Sequence, residues 1–184
     1  MTWHDRRAAP GRLELVRAFV NTLDMARGPE QFERPADARD WLVSHGLASP
    51  GLRLSAAGLA RTLQLREAIR SLLLANGGAP AAPAAKTTLN EVAARAGLQP
   101  QFAENGSTEL VVTAQGLDAA LGGLAAVMFD AIAAGDWERL RACPTCKWAF
   151  YDTSRNRSSR WCDMAVCGNR AKQRTFSQRR RPEL

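Results

Sequence analysis

Four cysteines constrain this chain more than any other feature, because all of them fall within residues 143–167 and none occurs elsewhere. Cys143 and Cys146 are spaced C-x2-C, Cys162 and Cys167 are spaced C-x4-C, and fifteen residues separate the pairs. Soft thiolates in a 2+2 set, with one pair tight enough to form a knuckle, suit a tetrahedral structural zinc ion. A disulfide pair, a C-x-x-C redox couple or a rubredoxin-like iron site would draw on the same residue type. A thioredoxin-like couple needs a βαβ setting, which does not surround Cys143 and Cys146. C-x4-C at a helix start suits zinc better than iron. The opening Met-Thr-Trp-His-Asp-Arg-Arg has no apolar run behind it, and the most apolar stretch, 117–134, is broken by Asp118, Gly122, Gly123 and Asp130. The expectation is a cytoplasmic protein without a membrane span, where clustered cysteines more often hold metal than pair.

Charge separates the chain into two units. Residues 139–184 hold twelve Lys/Arg and three Asp/Glu, a balance of +9, whereas residues 1–138 hold thirteen and fifteen, a balance of −2. The entire excess of +7 therefore belongs to the last quarter. A neutral body with a basic, metal-bearing end is the asymmetry expected of a nucleic-acid-binding module.

Residues 1–138 read as a mostly helical α+β unit with one small antiparallel hairpin. Leu13, Val16, Phe19, Val20 and Leu23 recur at helical spacing and predict a helix over 12–25. Its end brings Asn21 and Asp24 together, either as local capping groups or, with Arg66, as the lining of a small-molecule pocket. Pro35 to His45 forms a second helix with Trp41 and Leu42 inward, and His45 reads as a surface residue in its last turn. Ser55 caps a third helix to about Ala75, with Leu59, Leu63, Ile69, Leu72 and Leu73 buried and Arg61, Glu67 and Arg70 on other faces. Residues 77–85 read as a Gly/Pro/Ala loop, and Thr88 with Glu91 as the capping box of a helix that stops at Gly97. Asn105-Gly106 joins strands over 99–104 and 109–114. A core helix follows over 117–134, with Leu117, Leu121, Leu124, Met128 and Ile132 on its inner side.

From Asp136 the chain runs into Cys143 without a flexible linker, so the two units are expected to dock. Pro144 and Thr145 form the knuckle, 147–152 and 158–162 have strand character, and the composition turns helical from Ala165. Knuckle, hairpin and helix are the layout of a treble clef, with a closed four-cysteine shell and one structural Zn2+. Trp148, Phe150, Tyr151, Trp161 and Phe176 are expected to form its small core. Gly168 is expected to allow close backbone approach to the metal, and loss of one cysteine to unfold 143–176 while sparing the first unit.

Cys-Pro-x-Cys, Trp-x-Phe-Tyr-Asp-Thr-Ser-Arg-Asn-Arg-Ser-x-Arg-Trp-Cys and Met-Ala-x-Cys-Gly-Asn-Arg-Ala-Lys together resemble the CGNR zinc finger, almost continuously over 143–174. Leu13–Asp24 and Leu65-Arg-Glu-Ala-Ile-Arg resemble, more loosely, the ABATE domain that accompanies this finger in bacterial proteins. The resemblance implies a stress-induced transcription regulator with a ligand-sensing domain over 1–138 and a DNA-binding finger over 139–184.

The candidate nucleic-acid contacts are Arg155, Arg157 and Arg160 on the expected hairpin, and Asn169, Arg170, Lys172, Arg174, Arg179, Arg180 and Arg181 on or after the helix. Most suit phosphates of duplex DNA, with one or two helix arginines reading guanine edges. Asn169 and Arg170 could equally be structural, bonding back to the knuckle or hairpin. An RNA- or ribosome-associated zinc protein is the alternative. A homodimer would add affinity to a lone finger. No histidine follows His45, and neither a G-x-S-x-G motif nor a phosphate-binding glycine loop is present, so a non-enzymatic protein is expected.

Overall fold

The structure, a computed structural model, describes residues 7–26, 28, 30–102, 104 and 106–179, without the side chains of Thr175 and Arg179. His4, Asn105, Arg180 and Arg181 lie outside the described residues.

Helix α1 spans Leu13–Val20, and Leu13, Val16, Phe19 and Val20 are buried along one side. It stops sooner than its apolar period suggests, because Asn21 turns its amide away from the helix and toward Ala149. Helix α2, Pro35–Ser44, starts on a proline, and its third residue Asp37 accepts from the Arg34 backbone N–H. Trp41 packs against Phe19, with ring centroids 5.4 Å apart, and stacks on His45 at 3.9 Å. His45 is therefore half-buried against an indole rather than free on the surface.

Helix α3, Ala56–Ala75, begins where the Gly58 N–H donates to Ser55 Oγ at 3.1 Å. Its buried stripe is shifted from the expected one. Leu65, Ile69 and Leu73 are fully buried, while Leu59, Leu63 and Leu72 pack only partly. Arg66 and Arg70 lie within this inner face, each 3% exposed, although a charge pattern alone places Arg70 outside. Helix α4, Pro83–Ala96, also starts earlier than expected. Pro83 sits in the first turn, where its missing N–H costs nothing, so the last three residues of the Gly/Pro/Ala loop, 83–85, are helix and Thr88 lies inside it.

Strands β1 (Leu98–Phe102) and β2 (Thr108–Val112) form the expected antiparallel hairpin, with Leu98 opposite Val112 and Phe102 opposite Thr108. Helix α5, Gly116–Ala133, buries Leu121, Leu124, Val127 and Met128, but Ile132 stands 55% exposed. It has the length and apolarity of a membrane span by composition alone, yet it packs against α1, α4 and β2. Gly122 makes the α4–α5 approach possible, since a Cβ there would lie 2.3 Å from the Ala96 Cβ.

After a 3-10 turn at Trp137–Arg139 come strands β3 (Leu140–Ala142) and β4 (Ala149–Tyr151), paired antiparallel around the knuckle. The expected partner of β4 at 158–162 is instead irregular. Leu140, Ala142 and Ala149 belong to the main hydrophobic core, with α3 packed on β3 and α1 on β4. A π-turn at Met164–Gly168 leads into helix α6, Asn169–Arg179.

Candidate metal centre and nucleic-acid interface

The knuckle is shaped by its backbone. The Lys147 N–H donates to the Cys143 carbonyl at 2.8 Å and the Cys143 N–H to the Trp148 carbonyl at 2.9 Å, closing a tight turn over Pro144 and Thr145. Lys147 closes it in the left-handed region, φ +64°. Across from this turn, Asp163 caps the π-turn: its Oδ1 accepts from the Val166 N–H at 2.9 Å, and its carbonyl accepts from Cys167 and Gly168. Those two turns bring all four Sγ atoms within 4.8 Å of one another, all of them buried.

Cys146 and Cys162 Sγ are 3.4 Å apart, and Cys162 and Cys167 Sγ 3.7 Å. No disulfide is formed, and these spacings approach the edge of about 3.8 Å in a thiolate tetrahedron around zinc at about 2.3 Å. Without a cation the set cannot ionise together. S–H donation from Cys146 and Cys162 pulls Cys143 far down, while sharing with that thiolate pushes Cys146 up to about 12 and Cys162 higher still. Burial, then the Cys143 charge, raises Cys167. A divalent ion removes this conflict by taking four thiolates at once, and the donor set therefore fits one structural zinc with no open position. Phe150 is buried beside the thiols, with Trp148, Trp161 and Val166 packed around them. The expected small core is otherwise smaller: Tyr151 packs on the main core and Phe176 is 61% exposed. Gly168 gives close approach to the Met164 thioether, 2.4 Å from where a Cβ would stand.

The first unit reaches into this centre. Asn21 Nδ2 donates to the Ala149 carbonyl at 2.9 Å, and the Ala149 N–H donates back to Asn21 Oδ1 at 2.7 Å. Arg70 donates to the Lys147 carbonyl at 2.8 Å, to the Val20 carbonyl at 2.7 Å and to Glu67 at 2.9 Å. Arg66 forms a two-pronged pair with Glu30 at 2.6 and 2.5 Å and also meets Glu67 and Thr22. Burial opposes ionisation of Glu30, but hydrogen bonding and charge from Arg66 still hold its pKa below the ordinary value. Asp24 accepts from the Ala26 N–H in an exposed turn. The polar groups of Asn21 and Arg66 are thus engaged by the protein itself, and Asn21 serves the junction with the finger.

The basic residues fall into two groups. Arg139 and Arg141, which no motif singled out, frame the loop after β4: Arg139 donates to the Asp152 and Ser154 carbonyls, and Arg141 to those of Arg157 and Ser159. Asp152, fully buried, completes the frame by accepting from the Ser154 and Ser159 N–H groups at 2.9 Å each. Arg155, Arg157 and Arg160 are exposed on this loop rather than on a hairpin. Arg157 pairs with Glu138 at 3.3 Å. Arg160 holds its guanidinium 5.5 Å over the Trp161 ring.

On α6, Asn169 Nδ2 donates to the Ala165 carbonyl at 2.9 Å, a structural bond one turn back. Arg170, Lys172 and Arg174 are exposed. Arg179 ends the helix with its side chain outside the described residues. Between α6 and the knuckle runs an open groove of about 730 Å³, with Thr145, Arg160 and Trp161 on one side and Lys172, Arg174 and Phe176 on the other. The adjoining face of α6, which shares Arg174 and Gln178 with this groove, offers a shallower surface with Arg170, Gln173 and Ser177.

Residues 13–135 match the ABATE family, described as "Putative stress-induced transcription regulator", and residues 139–180 match the CGNR zinc finger. No curated protein matches the chain.

Proposed function

The chain belongs to the ABATE family and carries a CGNR zinc finger, and from that premise we propose that it is a cytoplasmic transcription regulator whose finger binds duplex DNA. The observation that carries this reading is the closed thiolate shell beside an exposed basic helix. Four buried cysteines leave a metal ion no open position for substrate, so the ion holds shape. From that anchor α6 extends Arg170, Lys172 and Arg174, and the helix contains no carboxylate to neutralise them. Arg155 and Arg160 add charge from the neighbouring loop. Their common task is phosphate contact, and the Arg170–Gln173 side of α6 has the guanidinium and amide groups that read base edges.

The protein acts by binding rather than catalysis, and its first unit regulates the finger through the junction at Asn21 and Arg70. A small polar effector would fit the groove of about 490 Å³ between α3 and α4, where Gln64, Glu67, Ser71, Thr88 and Glu91 present hydrogen-bonding groups. A homodimer would place two fingers on adjacent half-sites and multiply a modest single-finger affinity.

Duplex binding is checked by titrating the zinc-loaded protein with labelled DNA across a salt series, with structured RNA as competitor. Each phosphate contact adds about 0.9 to the slope of log affinity against log salt, so replacing Arg170, Lys172 and Arg174 by Ala together should lower the slope by up to about 2.7. An unchanged slope, or RNA displacing DNA at equal concentration, overturns the assignment.

A further inference from the structure

The groove between α6 and the knuckle has a chemistry that an intact duplex leaves unused. Among the described residues its walls present three cations, Arg160, Lys172 and Arg174, together with two aromatic rings, Trp161 and Phe176, and no carboxylate. At about 730 Å³ it falls within the range of about 300–1,000 Å³ typical of small-ligand sites. A single exposed phenyl ring on a helix would mean little by itself. Here Phe176, 61% exposed, faces the same groove as an indole that already carries the Arg160 guanidinium 5.5 Å above its ring.

Flat apolar faces interleaved with cations are complementary to a nucleobase attached to its phosphate. In a paired duplex those base faces are covered by their neighbours, and only the edges reach a protein. The adjoining face of α6 shares Arg174 and Gln178 with this groove and adds Arg170, Gln173 and Ser177, with no ring among its described residues, a composition suited to edges and phosphates. The helix therefore offers two chemistries that meet at Arg174, and only the ring-free one is explained by duplex contact.

We infer that the groove formed by Trp161, Phe176, Arg160, Lys172 and Arg174 accepts an unstacked nucleobase. The finger would then engage DNA at a bulge or a single-stranded segment in preference to an uninterrupted duplex. This inference rests on the nucleic-acid reading of the finger and narrows it. The base lies against the Trp161 and Phe176 rings, and the lysine and arginines hold its flanking phosphates. Because stacking uses the π-face that every base has, the groove selects for exposure of a base rather than its identity.

The test compares three labelled DNA ligands with the full-length, zinc-loaded protein: a perfect duplex, the same duplex with one unpaired adenosine, and the same bulge with an abasic residue. The bulged duplex should bind about 5- to 100-fold more tightly than the perfect one, and the abasic bulge should lose that gain. Phe176→Leu should abolish most of the gain while keeping both zinc content and perfect-duplex affinity, since this ring is exposed. Trp161→Leu should do the same where its zinc content is retained. Where that variant loses zinc, Phe176→Leu decides alone. Equal affinity for bulged and perfect duplexes, an abasic bulge as tight as the adenosine bulge, or an undiminished gain in Phe176→Leu overturns the inference while leaving duplex binding intact. Failure to bind any of the three overturns the nucleic-acid reading itself.

Discussion

At the residue scale, a buried polar group is worth what its partners make it. Asp152 has no exposed surface, and burial alone would raise its pKa, yet its bonds from Ser154 and Ser159 outweigh burial and hold the carboxyl below its ordinary value. A depressed carboxyl contributes stability that is present above the ordinary carboxylate range and is lost as pH falls through the lowered value. Asp152→Asn keeps the volume but turns one acceptor oxygen into a donor, which strands one of the two backbone N–H groups. The expected cost is about 1–3 kcal/mol at neutral pH. Acid also releases thiolate-bound metal, so the informative quantity is the difference in melting temperature between variant and parent. It should be largest near neutrality and shrink in acid. A difference that grows as pH falls would show that Asp152 does not act as an anion here. The carboxylate stands inside a motif that the sequence displays plainly, but its role was not legible, because its closest partners are two backbone N–H groups without a sequence signature, and its ion-pair partner Arg141, at 3.5 Å, lies outside the motif.

The same limit appears at the scale of whole elements. Helical periodicity located α1, α2, α3 and α5, since each buries an apolar stripe. It misplaced the start of α4, where alanines carry no hydrophobic period and Pro83 could equally have broken the chain. It also put Arg70 outside α3, because burial of a guanidinium depends on carbonyls from Val20 and Lys147, far away in sequence. The partner of β4 was misassigned for a related reason: three-residue strands have too short an alternation to declare their register. Tight helix contact leaves a clearer trace once the fold is known. Gly122 lets α5 approach α4 so closely that any side chain must push them apart. Gly122→Ala gains helix propensity of about 1 kcal/mol, but overpacking a rigid backbone contact costs about 1–3 kcal/mol. The variant should therefore melt below the parent. A rise in melting temperature would show that α4 yields without strain.

Across the whole molecule, the four cysteines were legible from spacing and the docking of the two units from the missing linker, whereas the core they share was not. Loss of one cysteine is expected from the sequence to spare the first unit, but the finger's first hairpin is part of that unit's core. Leu140, Ala142 and Ala149 pack with α1 and α3, Asn76 donates to the Trp137 and Leu140 carbonyls at 2.9 Å each, and Asn21 and Arg70 grip the backbone at 147–149. Structural zinc contributes about 10–16 kcal/mol to folding, comparable with the 5–15 kcal/mol that stabilises a whole domain. The metal's removal is therefore expected to spread beyond 143–176, because the same strands that hold the knuckle close the core beneath α1. Cys143→Ser, or chelation of the parent protein, should lower the melting temperature of the entire chain in one transition, detected at the same temperature by far-ultraviolet circular dichroism and by tryptophan fluorescence. Asn21→Ala should loosen this linkage from the other side. It orphans the Ala149 N–H and carbonyl at about 1–3 kcal/mol each, and it should weaken zinc retention against a competing chelator although it touches no sulfur. Two separate transitions, with the upper one unmoved by chelation, would establish that the units fold independently and that the junction transmits nothing.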